Sequence, residues 1–288
     1  HCKIKPAFQL ANKKKQMKVL ILCVHDGDHQ NFIKEHPEFL DLYENHQELF
    51  IKYLYLERDN GATALAEAVK KNLEAQKIEV ELINIRDIPR GIIDLNRVES
   101  QAIREIVDFN ENPELYQKLL KIYRKKITII ENALENLAEN GVFIDIHTMM
   151  DFTPKQKVLV QPGIAAMQSY VDSRVNPMNF AEKRDIEFVT AELGKDPIAH
   201  KRIHRSLNYN FEENNIKTID NIPYWLSEYS MTAQYMKKYP GKGIAIDVPI
   251  NELSETTDHI YPKLSVEKIE KLAQIISNSL VKQEALIL

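Results

Sequence analysis

The sequence predicts one α/β domain, a mainly parallel or mixed sheet covered by helices on both faces, and three observations carry that prediction. Segments 18–24 (KVLILCV), 142–150 (VFIDIHTMM) and 244–248 (IAIDV) are dominated by apolar residues, the pattern of strands buried on both sides. Amphipathic segments of helical period lie between them, so strands and helices alternate. With 288 residues, 44% hydrophobic and 28% charged, the chain has material for a large core and no break in composition that would divide it. Residues 18–288 are therefore assigned to the domain and 1–17 to an N-terminal extension.

In chain order, 18–24 runs into HDGDH as a buried strand runs into a polar loop. Residues 32–52 have loose helical periodicity, and 53–56 lead into ERDNGATALAEAVKKNLEAQ. There Asp59 or Asn60 is placed to cap a helix whose Leu65, Ala66, Val69 and Leu73 share one face. IEVELINI at 78–85 alternates as a strand does. RGIIDLNR at 90–97 sets a polar tetrad after a short apolar strand. A long amphipathic helix spans 113–140, Gly141 ends it, and the second core strand follows. Beyond Asp151 the chain is irregular, broken by Pro154, Pro162, Pro177 and Pro197, with a candidate helix over 179–193. The third core strand at 244–248 and an amphipathic helix at 265–283 complete the order.

A formal net charge of -4 supplies no broad cationic field, so the expected partner is a small molecule and not a nucleic acid. The longest apolar run, 19–24, falls far short of the roughly 20 residues that span a bilayer. The basic stretch 12–18 precedes an apolar run without a small-residue cleavage site, which reads as a strand and not a secretory signal. A cytoplasmic location is favoured, with His1 not taken as the native start. The two cysteines, Cys2 and Cys23, form neither a disulfide framework nor the paired spacing of a structural zinc site, and Cys23 reads as a core residue.

His25 and His147 each stand where a core strand ends, and in open α/β sheets the loops at the carboxyl ends of strands share one crevice. Catalytic zinc takes three ligands from His, Asp and Glu and leaves a fourth position for water. The two histidines supply two of these. Asp59 ranks first for the third, Glu57 second and Asp28 third. Taken singly, either histidine reads more readily as a hydrogen-bonded loop residue; their joint placement is what points to a metal.

Four segments occur in order over about the first half of the chain: VHDG at His25 to Gly27, ERDNGATALA at 57–66, RGIIDLNR at 90–97 and IDIHTM at 144–149. With them the sequence resembles the N-formylglutamate amidohydrolases and, more distantly, the aspartoacylases and zinc carboxypeptidases. The DLNR tetrad, shared with the aspartoacylases, is the most specific piece. The resemblance implies a zinc-carboxypeptidase-like hydrolase fold and one zinc ion held by His25, His147 and either Asp59 or Glu57, with Asp145 orienting His147. It also implies that Arg97, with Asn96 beside it, grips the carboxylate of a small substrate, Arg90 being a second candidate. A planar guanidinium suits that task. Alternatively, Asp94 caps a turn and Arg97 pairs with it at the surface.

Family members carry a late strand ending in a glutamate read as the general base. Here Asp247, one methylene shorter, takes that position, with Glu252 as the fallback, and 229–239 replaces a glycine-rich substrate loop. The implied activity is zinc-dependent cleavage of the amide bond of an N-acyl amino acid such as N-formylglutamate. A zinc peptidase or cell-wall amidase is the alternative within enzymes, and a binding relative that has lost its base is the alternative outside them.

Overall fold

Continuous burial identifies the centre of the sheet. The computed structural model describes residues 17–286 except 138, 139, 257 and 259, so the predicted N-terminal extension, Met17 apart, lies outside the described residues. The chain begins with β1 (Lys18–Cys23), α1 (His29–Glu35), α2 (Glu38–Leu42), α3 (Gln47–Glu57), α4 (Ala62–Ala75) and β2 (Glu79–Asn84). Next come α5 (Glu99–Ala102), α6 (Pro113–Glu135), β3 (Val142–Met149), β4 (Phe152–Pro154), α7 (Ile164–Val175) and β5 (Phe180–Lys183). The last part holds β6 (Ile186–Val189), α8 (Lys201–Glu213), β7 (Thr218–Asp220), α9 (Met231–Lys238), β8 (Gly243–Pro249) and α10 (Val266–Leu286).

The main sheet is mixed, in the order β2-β1-β3-β8-β6-β7. The pairs β2/β1, β1/β3, β3/β8 and β6/β7 are parallel, and β6 runs antiparallel to β8. Residues 19–23 of β1 and 142–148 of β3 are buried without alternation, so both faces of the central strands are covered, as the apolar runs require. The chain leaves β1 for β2 on one side and then crosses to β3 on the other. That reversal puts a topological switch point between β1 and β3, where open α/β sheets hold ligands at their strand ends.

Helix α4 shows how the sequence pattern becomes packing. Leu65, Ala66, Val69 and Leu73 are fully buried, as their shared face predicts. Its expected cap by Asp59 or Asn60 does not form. Gly61 holds the N-cap position at φ 88°, a left-handed conformation that suits glycine, and Asp26 reaches from the loop after β1 to accept the Thr63 N–H at 2.9 Å. Asp59 is thereby released for other work.

The candidate helix over 179–193 is not a helix. Phe180–Lys183 pairs with β4 in a separate two-stranded sheet, and Ile186–Val189 pairs with both β8 and β7. Ile186 and Phe188 on one face and Glu187 and Val189 on the other are all buried, a demand that a four-residue strand inside the sheet meets and an exposed helix does not. Helix α6 ends at Glu135, short of the expected Asn140. Among the described residues no helix is long and apolar enough to cross a membrane.

Candidate metal centre

The switch point brings His25 and His147 together, their ring planes inclined at 49°. His25 is the second residue after β1, His147 lies near the carboxyl end of the neighbouring β3, and their ring centroids are 5.0 Å apart. Asp59 is drawn in by its own backbone, whose N–H donates to the His25 carbonyl at 3.0 Å. Its Oδ2 then lies 2.9 Å from His147 Nδ1 and 3.5 Å from His25 Nδ1. The loop that carries His25 approaches a second loop closely at Gly27, where a Cβ would stand 1.9 Å from the Ile88 carbonyl oxygen; only glycine fits.

Behind each imidazole stands a second carboxylate. His25 Nε2 is 2.8 Å from Asp94 Oδ1, and His147 Nε2 is 3.1 Å from Asp145 Oδ1, the latter contact being poorly aligned for a hydrogen bond. His25 Nε2 faces the Asp94 carboxylate and also accepts the Asn96 N–H at 3.2 Å, so the ring is held from behind with its Nδ1 turned toward Asp59. That Nδ1 is buried and has no hydrogen-bond partner among the described residues. Asp94 also accepts the Asn96 N–H at 3.0 Å, so the DLNR tetrad makes the turn anticipated for it and aims its carboxylate at His25 in the same step.

His25, Asp59 and His147 are all buried, and their ligand atoms lie within 4.8 Å of one another. Two donors bound to a tetrahedral zinc at about 2.0 Å stand about 3.3 Å apart, a value bracketed by the two contacts of Asp59 Oδ2. The donor set, two imidazole nitrogens and one carboxylate oxygen, therefore fits a single zinc. The field fits as well. Burial alone would lower His147, but Asp145 and Asp59 outweigh it and hold the imidazole well above its usual range, in its cationic form. An environment that retains a proton against burial favours a divalent cation in its place.

Three arginines balance these acids. Arg90 Nη1 donates to Asp59 Oδ1 at 2.7 Å, and Arg104 Nη2 donates to Asp94 Oδ2 at 2.8 Å. Burial pushes Asp59 up, yet Arg90 and the two histidines outweigh it and hold the carboxyl well below the ordinary range. Arg97 is the most open of the three, its Nε 3.6 Å from Asp94 Oδ2 and its guanidinium in no hydrogen bond among the described residues. Asn96 uses its Oδ1 to accept from the N–H and hydroxyl of Thr232, whose hydroxyl also meets Asp145.

Of the remaining sequence candidates, Glu57, Asp28 and Glu252 go elsewhere and Asp247 stays beside the histidines. Glu57 does not join the histidines: it closes α3 and binds the Tyr170 hydroxyl and Arg104 Nη2, because the last turn of that helix faces α7 and Arg104. Asp28 caps α1 by accepting the Gln30 N–H at 2.8 Å. Asp247 stands opposite His147 in the β3/β8 register, partly exposed, and burial raises its carboxyl above the ordinary range. Glu252 lies in the 3-10 turn after β8, and among the described residues no hydrogen bond or ion pair joins it to the cluster. Sequence reasoning missed Arg104, Tyr170, Thr232 and Glu187. None belongs to a recognisable segment, and all four reach the site only through tertiary pairing.

No protein-family model matches the sequence, and no curated protein matches it. Solved structures do share its fold. An N-formylglutamate amidohydrolase from Ralstonia eutropha superposes with a TM-score of 0.51 at 12% identity, covering 94% of each chain. A gene product from Agrobacterium tumefaciens gives 0.50 at 14% identity, over 92% of this chain and 91% of that one. A metallo-carboxypeptidase from Burkholderia cenocepacia gives 0.43 at 9% identity, over 96% of this chain and 59% of that one. At these identities the likeness to the first two is one of fold, extending over nearly the whole of each chain.

Proposed function

We propose that the chain is a zinc-dependent amidohydrolase with one metal ion, acting on the amide bond of an N-acyl amino acid of the N-formylglutamate kind. The observation that carries this reading is the convergence of His25 Nδ1, His147 Nδ1 and Asp59 Oδ2 on one buried point, with Asp94 and Asp145 behind the imidazoles. The fold shared with the Ralstonia eutropha N-formylglutamate amidohydrolase supports it. When bound by His25, His147 and Asp59, zinc supplies Lewis acidity that polarises an amide carbonyl and acidifies water.

The chain's own groups do the rest. Arg97, open and without a tight partner, takes the substrate carboxylate on its guanidinium fork and so holds the amide near the histidines. Asp247 accepts a proton from the attacking water and returns it to the departing amine nitrogen, so that the carboxylate is regenerated. Its raised affinity for a proton, caused first by burial, makes it a stronger base than an ordinary carboxylate. Asp94 and Asp145 hold the imidazoles in the orientation that ligation needs.

A second reading, a peptidase or cell-wall amidase, is favoured by the exposed aromatics Tyr224, Trp225 and Tyr229. The Tyr229 carbonyl accepts the N–H of Val98, next to Arg97, which brings part of this aromatic stretch beside the proposed carboxylate anchor. The experiment that tests both is hydrolysis of a panel of N-acyl amino acids and N-acylated peptides before chelation, after chelation and after zinc is restored. Zinc-restored cleavage of the single amino-acid derivatives supports the first reading. Preference for the longer compounds supports the second, and turnover unaffected by chelation refutes both.

A further inference from the structure

The polar row at the histidine end of the sheet continues past Asp247. In the β3/β8 register His147 stands opposite Asp247, and in the antiparallel β8/β6 register Asp247 stands opposite Glu187. Residues opposed in this way project from one face with Cβ atoms about 4.5–5.5 Å apart, so two carboxyl groups share a small part of the sheet surface. They differ in access: Asp247 is partly exposed, whereas Glu187 is fully buried. Glu187 Oε1 accepts the Tyr224 N–H at 2.8 Å, and its buried Oε2 has no hydrogen-bond partner among the described residues.

The charges around Glu187 do not neutralise it. Asp247 faces it from β8, and Arg184, just before β6, is the cation on its side. The Arg184 guanidinium is turned to Thr153 Oγ1 and the Tyr224 hydroxyl. Asp247 in turn faces His147 and Asp145 on β3 and the Asp59 and Arg90 side chains. A buried carboxylate with one oxygen unsatisfied, next to another carboxylate, is costly; a carboxylic acid in the same place has a proton to donate.

We propose that Glu187 is a positioning residue for Asp247, held as a neutral acid whose Oε2–H is donated to the Asp247 carboxylate. Burial first, and then the neighbouring Asp247, pushes the Glu187 carboxyl up to about 8, so the proton stays through neutral pH. The donated hydrogen bond fixes Asp247 with its free oxygen toward the histidines. Ionisation of Glu187 removes that bond and puts two negative carboxylates side by side, so Asp247 loses its orientation as pH passes about 8. The catalytic part of this inference rests on the amidohydrolase reading; the location of the proton does not.

The test uses the full chain, its Glu187→Gln and Asp247→Asn variants, and two readouts. Infrared difference titration of the wild type should show a protonated buried carboxyl at neutral pH that ionises near pH 8. The band should be absent in Glu187→Gln and should ionise at lower pH in Asp247→Asn. The second readout is the pH profile of kcat with the best substrate of the panel. Wild-type kcat should fall as pH passes 8 with KM unchanged, while Glu187→Gln, whose amide N–H stands in for the acid proton and cannot ionise, keeps KM and shows no such fall. Absence of the protonated band in the wild type, its persistence in Glu187→Gln, or an alkaline fall shared by both proteins overturns the proposal. A band that behaves as stated in a chain that cleaves no amide supports the carboxyl pair and refutes the amidohydrolase reading instead. If Glu187→Gln fails to fold, the Asp247→Asn shift of the wild-type band decides.

Discussion

Arg90 Nη1 lies 2.7 Å from Oδ1 of Asp59, the carboxylate whose other oxygen faces both histidines. The guanidinium thus sets the orientation of the acidic donor. Sequence resemblance makes Arg90 a second candidate for gripping the substrate, and its contact with Asp59 supports the further task of orienting the acidic donor. Arg90→Ala should weaken metal affinity by about 10- to 100-fold, the cost typical of losing a partner behind a metal ligand. Competition of the variant with a calibrated zinc chelator measures this; unchanged zinc affinity with a raised KM would return Arg90 to substrate binding.

Arg97 is the complementary case. Its guanidinium is the most open of the three arginines and makes no hydrogen bond among the described residues. Arg97→Ala should leave metal content at the wild-type level and lower kcat/KM for a carboxylate-bearing substrate by about 10- to 100-fold, the worth of a lost charge-assisted contact. The same variant should lose little toward an amide of the same acid, which carries no charge to grip. Equal losses on both substrates would assign Arg97 a structural role with Asp94.

Asp247→Asn removes the proton acceptor and leaves the shape. Zinc content should be retained, and kcat should fall by about 100- to 10,000-fold, the range for removal of a general base. A variant within a few-fold of wild type would pass the role to another group.

Glu187 also makes a statement about stability. The unfolded chain releases this proton near the ordinary value of 4.5 and the folded chain only near 8, so raising the pH between these values favours unfolding. Glu187→Gln cannot titrate. The difference in Tm between the variant and the wild type should therefore move in favour of the variant as pH rises through that window, and level off above it. Thermal melts at a series of pH values measure it, and a difference independent of pH contradicts the raised carboxyl.

Much of this architecture was legible in the sequence because it is written in local periodicity. The strands β1, β3 and β8 announce themselves as apolar runs, and the face of α4 is set by Leu65, Ala66, Val69 and Leu73. The strands β6 and β7 were not legible. They are four and three residues long, and IEFV is preceded by a charged stretch that reads as helical. Their place is fixed by pairing with β8 across a long sequence separation. The site divides in the same way. His25, Asp59 and His147 lie at or beside ends of regular elements, where chain order alone brings them together. Choosing between Glu57 and Asp59, two residues apart, needs the exit angle of α3, and Glu187 needs the register of β6.

The central claim is that His25, Asp59 and His147 share one cation. Elemental analysis of the purified chain, loaded with zinc and dialysed free of excess, tests it most directly when set beside His147→Ala prepared identically and shown to be folded. The account predicts about one zinc per wild-type chain, as a site of three protein ligands requires, and loss of most of it in the variant. A wild-type chain that binds no zinc, or a folded His147→Ala variant that retains the full equivalent, would contradict it.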